Sequence, residues 1–95
     1  ENPEDYYLSP NFPNPFNPTT VMQYEVKNSA RVNIAVYNLL GERIKVLWDD
    51  VRAGGVYRIE WNGTDAQGRP LSSGIYIVRM EANRHTATRK VLLLR

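Results

Sequence analysis

Apolar and polar residues alternate one for one along most of the chain, in short runs broken by turn-forming clusters. In residues 20–26, Met22, Tyr24 and Val26 fall on one face and Gln23 and Glu25 on the other, the period of a half-buried strand. Val32, Ile34 and Val36 alternate with Arg31, Asn33 and Ala35 and predict a second strand ending near Tyr37. Ile44, Val46 and Trp48, set against Arg43 and Lys45, predict a third that stops at Asp49-Asp50. Tyr57, Ile59 and Trp61 against Arg58 and Glu60 predict a fourth. Residues 75–80, with Tyr76, Val78 and Met80 on one face, and residues 86–94, ending in Val91-Leu92-Leu93-Leu94, form the last pair. A short extended stretch, Tyr6-Tyr7-Leu8, precedes them all.

Between the runs lie Lys27-Asn28-Ser29, Asn38-Leu39-Leu40-Gly41-Glu42, Ala53-Gly54-Gly55, residues 62–70 and Asn83-Arg84, clusters of the residue types that turns use. Gly41 can supply a positive φ where that turn needs one. No run has a helical period. Strands joined by turns this short must be antiparallel, because a parallel return needs a crossover of a dozen or more residues. The expectation is an all-β, immunoglobulin-like antiparallel β-sandwich of about seven strands around one layered core.

Residues 10–18 break the alternation. Pro10, Pro13, Pro15 and Pro18 fix φ at every second or third position, remove four N–H donors and bias the preceding residues away from helix. A stiff, extended loop is expected, with Phe12 and Phe16 as pegs on the body of the domain. Its prolines suit the edge of a sheet, where a missing donor discourages pairing with another chain; a ligand for a proline-reading domain is the other reading.

The chain has 95 residues, 42% of them hydrophobic, which fits one domain with one modest core. A domain this small buries only about 60–70% of the surface its unfolded chain exposes. Twelve Lys and Arg against ten Asp and Glu give a formal charge of +2, dispersed rather than striped, so nucleic acid is not an expected partner. The C-terminal end is locally basic through Arg79, Arg84, Arg89, Lys90 and Arg95. With no cysteine there is no disulfide or thiolate metal site, and no long apolar run calls for membrane insertion. Beginning at Glu1 rather than Met, the chain reads as a piece of a longer polypeptide, with residues 1–7 as a linker end and residues 8–95 as the domain.

Candidate chemistry is sparse. Asp49-Asp50 and Asp65 with Asn62 lack calcium-loop spacing, and Asp and Asn serve turns through their own backbone bonding. His85 is the single histidine and is expected as a solvated turn residue; neither it nor Ser9, Ser29, Ser72 or Ser73 has the context of a catalytic triad. No catalytic, metal or cofactor site is expected. Aromatic residues could form a sugar-stacking platform, but Trp61 shares a face with Tyr57 and Ile59, and Trp48 with Ile44 and Val46, which places both in the core; Tyr6 and Tyr7 are the better candidates for exposed rings. The basic terminal strand can close the sandwich as a charged edge, and can also be a handle for a receptor that adds a strand or reads its cations.

Five phrases are more specific than a generic sandwich: residues 11–20 with Asn14-Pro15-Phe16-Asn17-Pro18 at their centre; residues 36–42 ending in Gly41-Glu42; Ala53-Gly54 followed by residues 59–68 with Trp61, Gly63, Asp65 and Gly68; Ser73-Gly74-Ile75-Tyr76; and Arg89-Lys90-Val91-Leu92-Leu93-Leu94-Arg95. In this order the chain, over about residues 8–95, resembles the type A C-terminal sorting domain of type IX (Por) secretion cargo. The portion from Trp61 to Tyr76 also resembles the immunoglobulin-like domain of the flagellar hook-capping protein. Asn62 departs from the Asp that many relatives carry, and a neutral amide can still cap that turn. The resemblance implies a signal that directs an upstream cargo domain from the periplasm through the outer-membrane type IX translocon to the cell surface or exterior of a Bacteroidetes-like bacterium. A surface-attachment peptidase is the second partner implied. It implies recognition through the final strand, with Lys90 at the family's near-terminal Lys and Arg89 and Arg95 beside it. The alternative is an accessory carbohydrate-binding or spacer and assembly module of a secreted multidomain protein.

Overall fold

The structure is a computed structural model that describes residues 6–95; most of the expected linker end, residues 1–5, lies outside the described residues. Seven antiparallel strands run β1 Tyr6–Leu8, β2 Thr20–Val26, β3 Ala30–Tyr37, β4 Arg43–Arg52, β5 Gly55–Trp61, β6 Gly74–Ala82 and β7 His85–Leu93. They form a three-stranded sheet, β1-β2-β5, and a four-stranded sheet, β4-β3-β6-β7. The all-β, immunoglobulin-like sandwich expected from the alternation is the fold observed.

The core lies where the period-two faces meet. Thr20, Met22, Tyr24 and Val26 of β2 and Ile59 and Trp61 of β5 pack against Val32, Ile34 and Val36 of β3 and Tyr76, Val78 and Met80 of β6. Val91 and Leu93 complete it from β7, and Phe16 enters from the proline-rich loop. Trp61 sits between Phe16 and Tyr76, with ring centroids 5.6 and 5.4 Å away, and its indole N–H donates to the Thr64 carbonyl at 2.9 Å. The Tyr76 hydroxyl donates to the Ser72 carbonyl at 2.8 Å, an i to i−4 bond like the tyrosine corner of immunoglobulin sandwiches.

Three local expectations are corrected. The third strand does not stop at Asp49-Asp50 but runs through both to Arg52, with Asp49 paired to Arg31 at 3.1 Å across the β3–β4 ladder. Ile44, Val46 and Trp48 do not share a face: Ile34 pairs with Trp48 and Ala35 with Val46, so Leu47 is an extra residue in a bulge, and Val46 turns outward. His85 is no solvated turn residue; it opens β7 half-buried, its ring 5.0 Å from that of Tyr6.

The first strand takes in Tyr6 and Tyr7, which pair with Val26 and Glu25. Tyr6 is buried and only Tyr7 exposes its ring, so the expectation of two exposed tyrosines is corrected by half: period-two alternation turns neighbouring residues to opposite faces.

Side-chain carboxylates and amides close the turns. Asn38 Oδ1 accepts from the N–H groups of Leu40 and Glu42 at 3.0 and 2.9 Å. Asp65 Oδ1 accepts from the N–H groups of Gln67 and Arg69, both at 2.9 Å, while Oδ2 takes the Arg69 guanidinium at 2.9 Å. These bonds, led by the Arg69 N–H, hold the Asp65 carboxyl below its ordinary range. A lowered folded-state pKa gives stability that is present above the unfolded value, about 3.9, and lost as pH falls through the folded value. Asp65→Asn is therefore expected to lower Tm at neutral pH, with the gap from wild type closing below about pH 4 in a pH series of thermal melts.

Candidate functional site

The terminal ribbon β7 is an edge strand, hydrogen-bonded to β6 alone within its sheet. Its other edge is half covered. The Phe16 N–H donates to the Leu92 carbonyl at 2.9 Å, the Leu94 N–H to the Phe16 carbonyl at 3.0 Å, and the Leu92 N–H to Asn14 Oδ1 at 3.1 Å. The proline-rich loop thus seals the last turn of the ribbon through a parallel bridge. Because the N–H and C=O of Leu92 both point outward, the alternation of an antiparallel ladder aims those of Thr88 and Lys90 along the same edge. Among the described residues, no backbone group pairs with them there. Among the described residues, the ribbon's edge is therefore bridged by backbone at its end and left without backbone pairing across residues 86–90, where β1 lies alongside.

The loop that covers the edge is locked from within. Thr20, fully buried at the start of β2, donates its hydroxyl to the Pro13 carbonyl at 2.8 Å and accepts from Asn11 Nδ2 at 3.0 Å. The expectation of a stiff loop with two aromatic pegs holds in part. Phe16 is a peg at 1% exposure; Phe12 stands 80% exposed. The loop also bends at residues 13–15 and 17–18 and is extended only where Phe12 and Phe16 make their bridges. Pro15, Asn17 and Pro18 are exposed.

The three cations singled out in the sequence are not brought together. Arg89, half-buried on the core-facing side of β7, donates Nε to the Leu8 carbonyl at 2.8 Å and lies 5.8 Å from the Tyr7 ring, stapling β7 to β1. Lys90 projects from the opposite face, exposed and, among the described residues, with no side-chain hydrogen bond or ion pair. Arg95 folds back: its Nε donates to the Leu71 carbonyl at 2.5 Å, a terminal guanidinium N–H to the Gly63 carbonyl at 2.7 Å, and its backbone N–H to Ser73 Oγ at 2.8 Å. Of these three, Lys90 is the one whose charge has no partner among the described residues.

Gly63, Asp65 and Gly68 fall in the β5–β6 loop, Gly74 opens β6 opposite Leu93, and Gly41 lies in the β3–β4 turn. Lys45 reaches into the β5–β6 loop, its ammonium donating to Thr64 Oγ1 at 2.9 Å.

A second cluster spans the side of the sandwich between β4 and β5. The Arg52 guanidinium lies 3.6 Å from the Trp48 ring and 4.3 Å from the Tyr57 ring, with Nε donating to the Tyr24 hydroxyl at 3.0 Å. Trp48 is thus half-buried at the rim of the core, one face covered by the molecule's own arginine. The rings of Tyr6, Tyr7 and Trp48 form no common platform: one is buried, one exposed on β1, and one covered. Arg52→Ala is expected to cost about 1–2 kcal/mol, the worth of a partly desolvated cation–π pair, and to red-shift the emission of Trp48 in a Trp61→Phe background. An unshifted spectrum would contradict the stacked geometry. The arginine was not readable as a ring partner because the spacing from Trp48 to Arg52 is ordinary strand sequence.

Comparison with known proteins fits this architecture. The FlgD Ig-like domain profile matches residues 15–86, more than half of the chain. This chain belongs to the FlgD Ig-like domain family. Among solved structures, the FlgD Ig-like domain described here is similar to dimeric latent PorU from Porphyromonas gingivalis, with TM-score 0.71 and 17% identity over 94% of this chain and 9% of that one. It is similar to PorZ, an essential bacterial surface component of the type-IX secretion system of Porphyromonas gingivalis, with TM-score 0.59 and 16% identity over 97% of this chain and 12% of that one. It is also similar to FlgD from P. aeruginosa, with TM-score 0.56 and 16% identity over 97% of this chain and 63% of that one. The chain thus spans about a tenth of the two Porphyromonas gingivalis proteins. At these identities the likeness is one of fold. No match was found among curated protein sequences.

Proposed function

We propose that this FlgD-type domain is a non-catalytic sorting module. It directs an exported cargo through a type IX translocon to the cell surface or exterior, and a surface-attachment peptidase is its second partner. The observation that carries the reading is the edge of β7, without backbone pairing across residues 86–90 among the described residues, beside an unpaired Lys90, in a sandwich whose Arg89 and Arg95 are spent on backbone carbonyls. Support comes also from the sorting-domain motifs at residues 14–18 and 89–95 and from the fold shared with a surface component of a type IX system. An edge strand with free donors and an isolated cation is suited to a receptor that adds a strand and pairs one carboxylate.

The test is a reporter carrying a periplasmic signal peptide, fused ahead of residues 1–95 in a host with a type IX system. The reporter should reach the medium or cell surface, and Lys90→Glu should cut that export by about tenfold, the scale of one lost charge pair, with Tm unchanged. A periplasmic reporter, or export indifferent to Lys90→Glu, refutes the reading. Membership of the FlgD family favours one rival, a spacer or assembly module. Such a module would leave the reporter periplasmic and form a defined complex with its neighbouring domains.

A further inference from the structure

The outer face of the four-stranded sheet is not an ordinary solvated face. Cross-strand register sets Tyr37 beside Ile77 and Ile77 beside Lys90; in the next row Ala35 lies beside Arg79 and Arg79 beside Thr88. Leu39, from the β3–β4 turn, joins these rows, so that Tyr37, Leu39, Ile77, Arg79 and Thr88 line an open depression of about 260 Å³. Leu39 is 67% exposed, and Leu40 beside it 85%. A turn built on Asn38 has no structural use for two leucines held in water, because its closing bonds come from the Asn38 side chain.

Two cations, Arg79 and Lys90, stand beside the depression. Lys90 is unpaired, and the Arg79 guanidinium, 5.1 Å from the Tyr37 ring, has a buried Nε without a hydrogen-bond acceptor. Across the outward positions of β3, β6 and β7, Glu81 is the one carboxylate, bound to Arg79 at 3.4 Å; on β4, Asp49 is paired to Arg31 at 3.1 Å, and in the β3–β4 turn Glu42 accepts from Asn38 Nδ2 at 2.7 Å. Two cations flanking an apolar depression fit a partner that carries leucine-like side chains between carboxylates. An anionic membrane surface is a poorer match, since lipid headgroups are held by clusters of about four to eight Lys and Arg.

We propose that this shelf docks an acidic, leucine-bearing extended segment of a partner protein, its apolar side chain between Leu39 and Ile77 and its carboxylates on Lys90 and Arg79. The proposal deepens the sorting reading, resting on it only for the setting in which the partner is met. The test is an NMR titration of isotope-labelled residues 1–95 with a short peptide of alternating Glu and Leu. Amide shifts should centre on Tyr37, Leu39, Ile77 and Lys90. Leu39→Glu and Lys90→Glu should each weaken binding by about tenfold or more, while Val56→Glu, on the outer face of the other sheet, binds as wild type. All three residues are exposed, so wild-type thermal melts are expected of each variant. Unmoved amides, equal weakening by Val56→Glu, or the same amides shifting with phosphatidylglycerol vesicles and not with the peptide would overturn the proposal. Peptide binding without reporter export would leave the shelf standing and remove the sorting reading; export without peptide binding would do the reverse.

Discussion

Phe16→Ala is expected to remove about 3–5 kcal/mol of folding stability, and Phe12→Ala almost none, although the two rings stand four positions apart in the same proline-rich loop. Phe16 is 1% exposed, packs on Trp61 and lies between the sheets, so truncation leaves a cavity that the flanking strands cannot close. Its backbone also bridges Leu92 and Leu94, and a loosened loop would expose the end of β7. In a domain whose total stability is of the order of 5–15 kcal/mol, the loss is a large fraction. Phe12 is mostly in solvent and leaves no cavity. Urea unfolding of both variants checks this: the midpoint should fall steeply for Phe16→Ala with the slope unchanged. Equal midpoints would mean that Phe16 does not seal the sandwich.

That pair also marks where sequence reading succeeds and where it stops. Period-two alternation places Met22 and Tyr24, Val32 and Ile34, Ile59 and Trp61, and Tyr76 and Val78 on the buried faces where the structure has them. It fails in β4, where Val46-Leu47-Trp48 is apolar without alternating and the bulge at Leu47 decides which side chain turns outward. The partner strand imposes that shift, and no local pattern encodes it. The cations behave alike. Arg89, Lys90 and Arg95 look equivalent as a basic terminus, yet two of them end on carbonyls of Leu8, Gly63 and Leu71, residues distant in sequence. A long side chain with several donors takes whichever backbone acceptor the fold brings near. The outer shelf did leave a signal: Leu39-Leu40 sits in a turn cluster where apolar residues have no local role.

The end of the ribbon supplies the last expectation. Gly63 has φ of +72°, and a Cβ there would lie 2.9 Å from the Arg95 guanidinium and 3.2 Å from a Leu93 methyl. Gly63→Ala should therefore cost about 2–3 kcal/mol, combining left-handed backbone strain with overpacking against the two terminal side chains. Arg95→Ala alone should cost about 1 kcal/mol, because the Gly63 carbonyl it releases still accepts from the Leu71 N–H at 2.9 Å and the bond to the Leu71 carbonyl is an exposed one. In the double variant the two losses should not add. Without the guanidinium, the new methyl has room on that side, so only the backbone strain and the Leu93 contact remain, and the coupling should reach about 1 kcal/mol. A double-mutant cycle of urea midpoints reads this directly. Coupling indistinguishable from zero would place the Arg95 head away from Gly63, returning it to solvent as a second free cation beside Lys90. The recognition surface would then extend to the end of the ribbon, and Arg95→Glu would be expected to impair export as Lys90→Glu does.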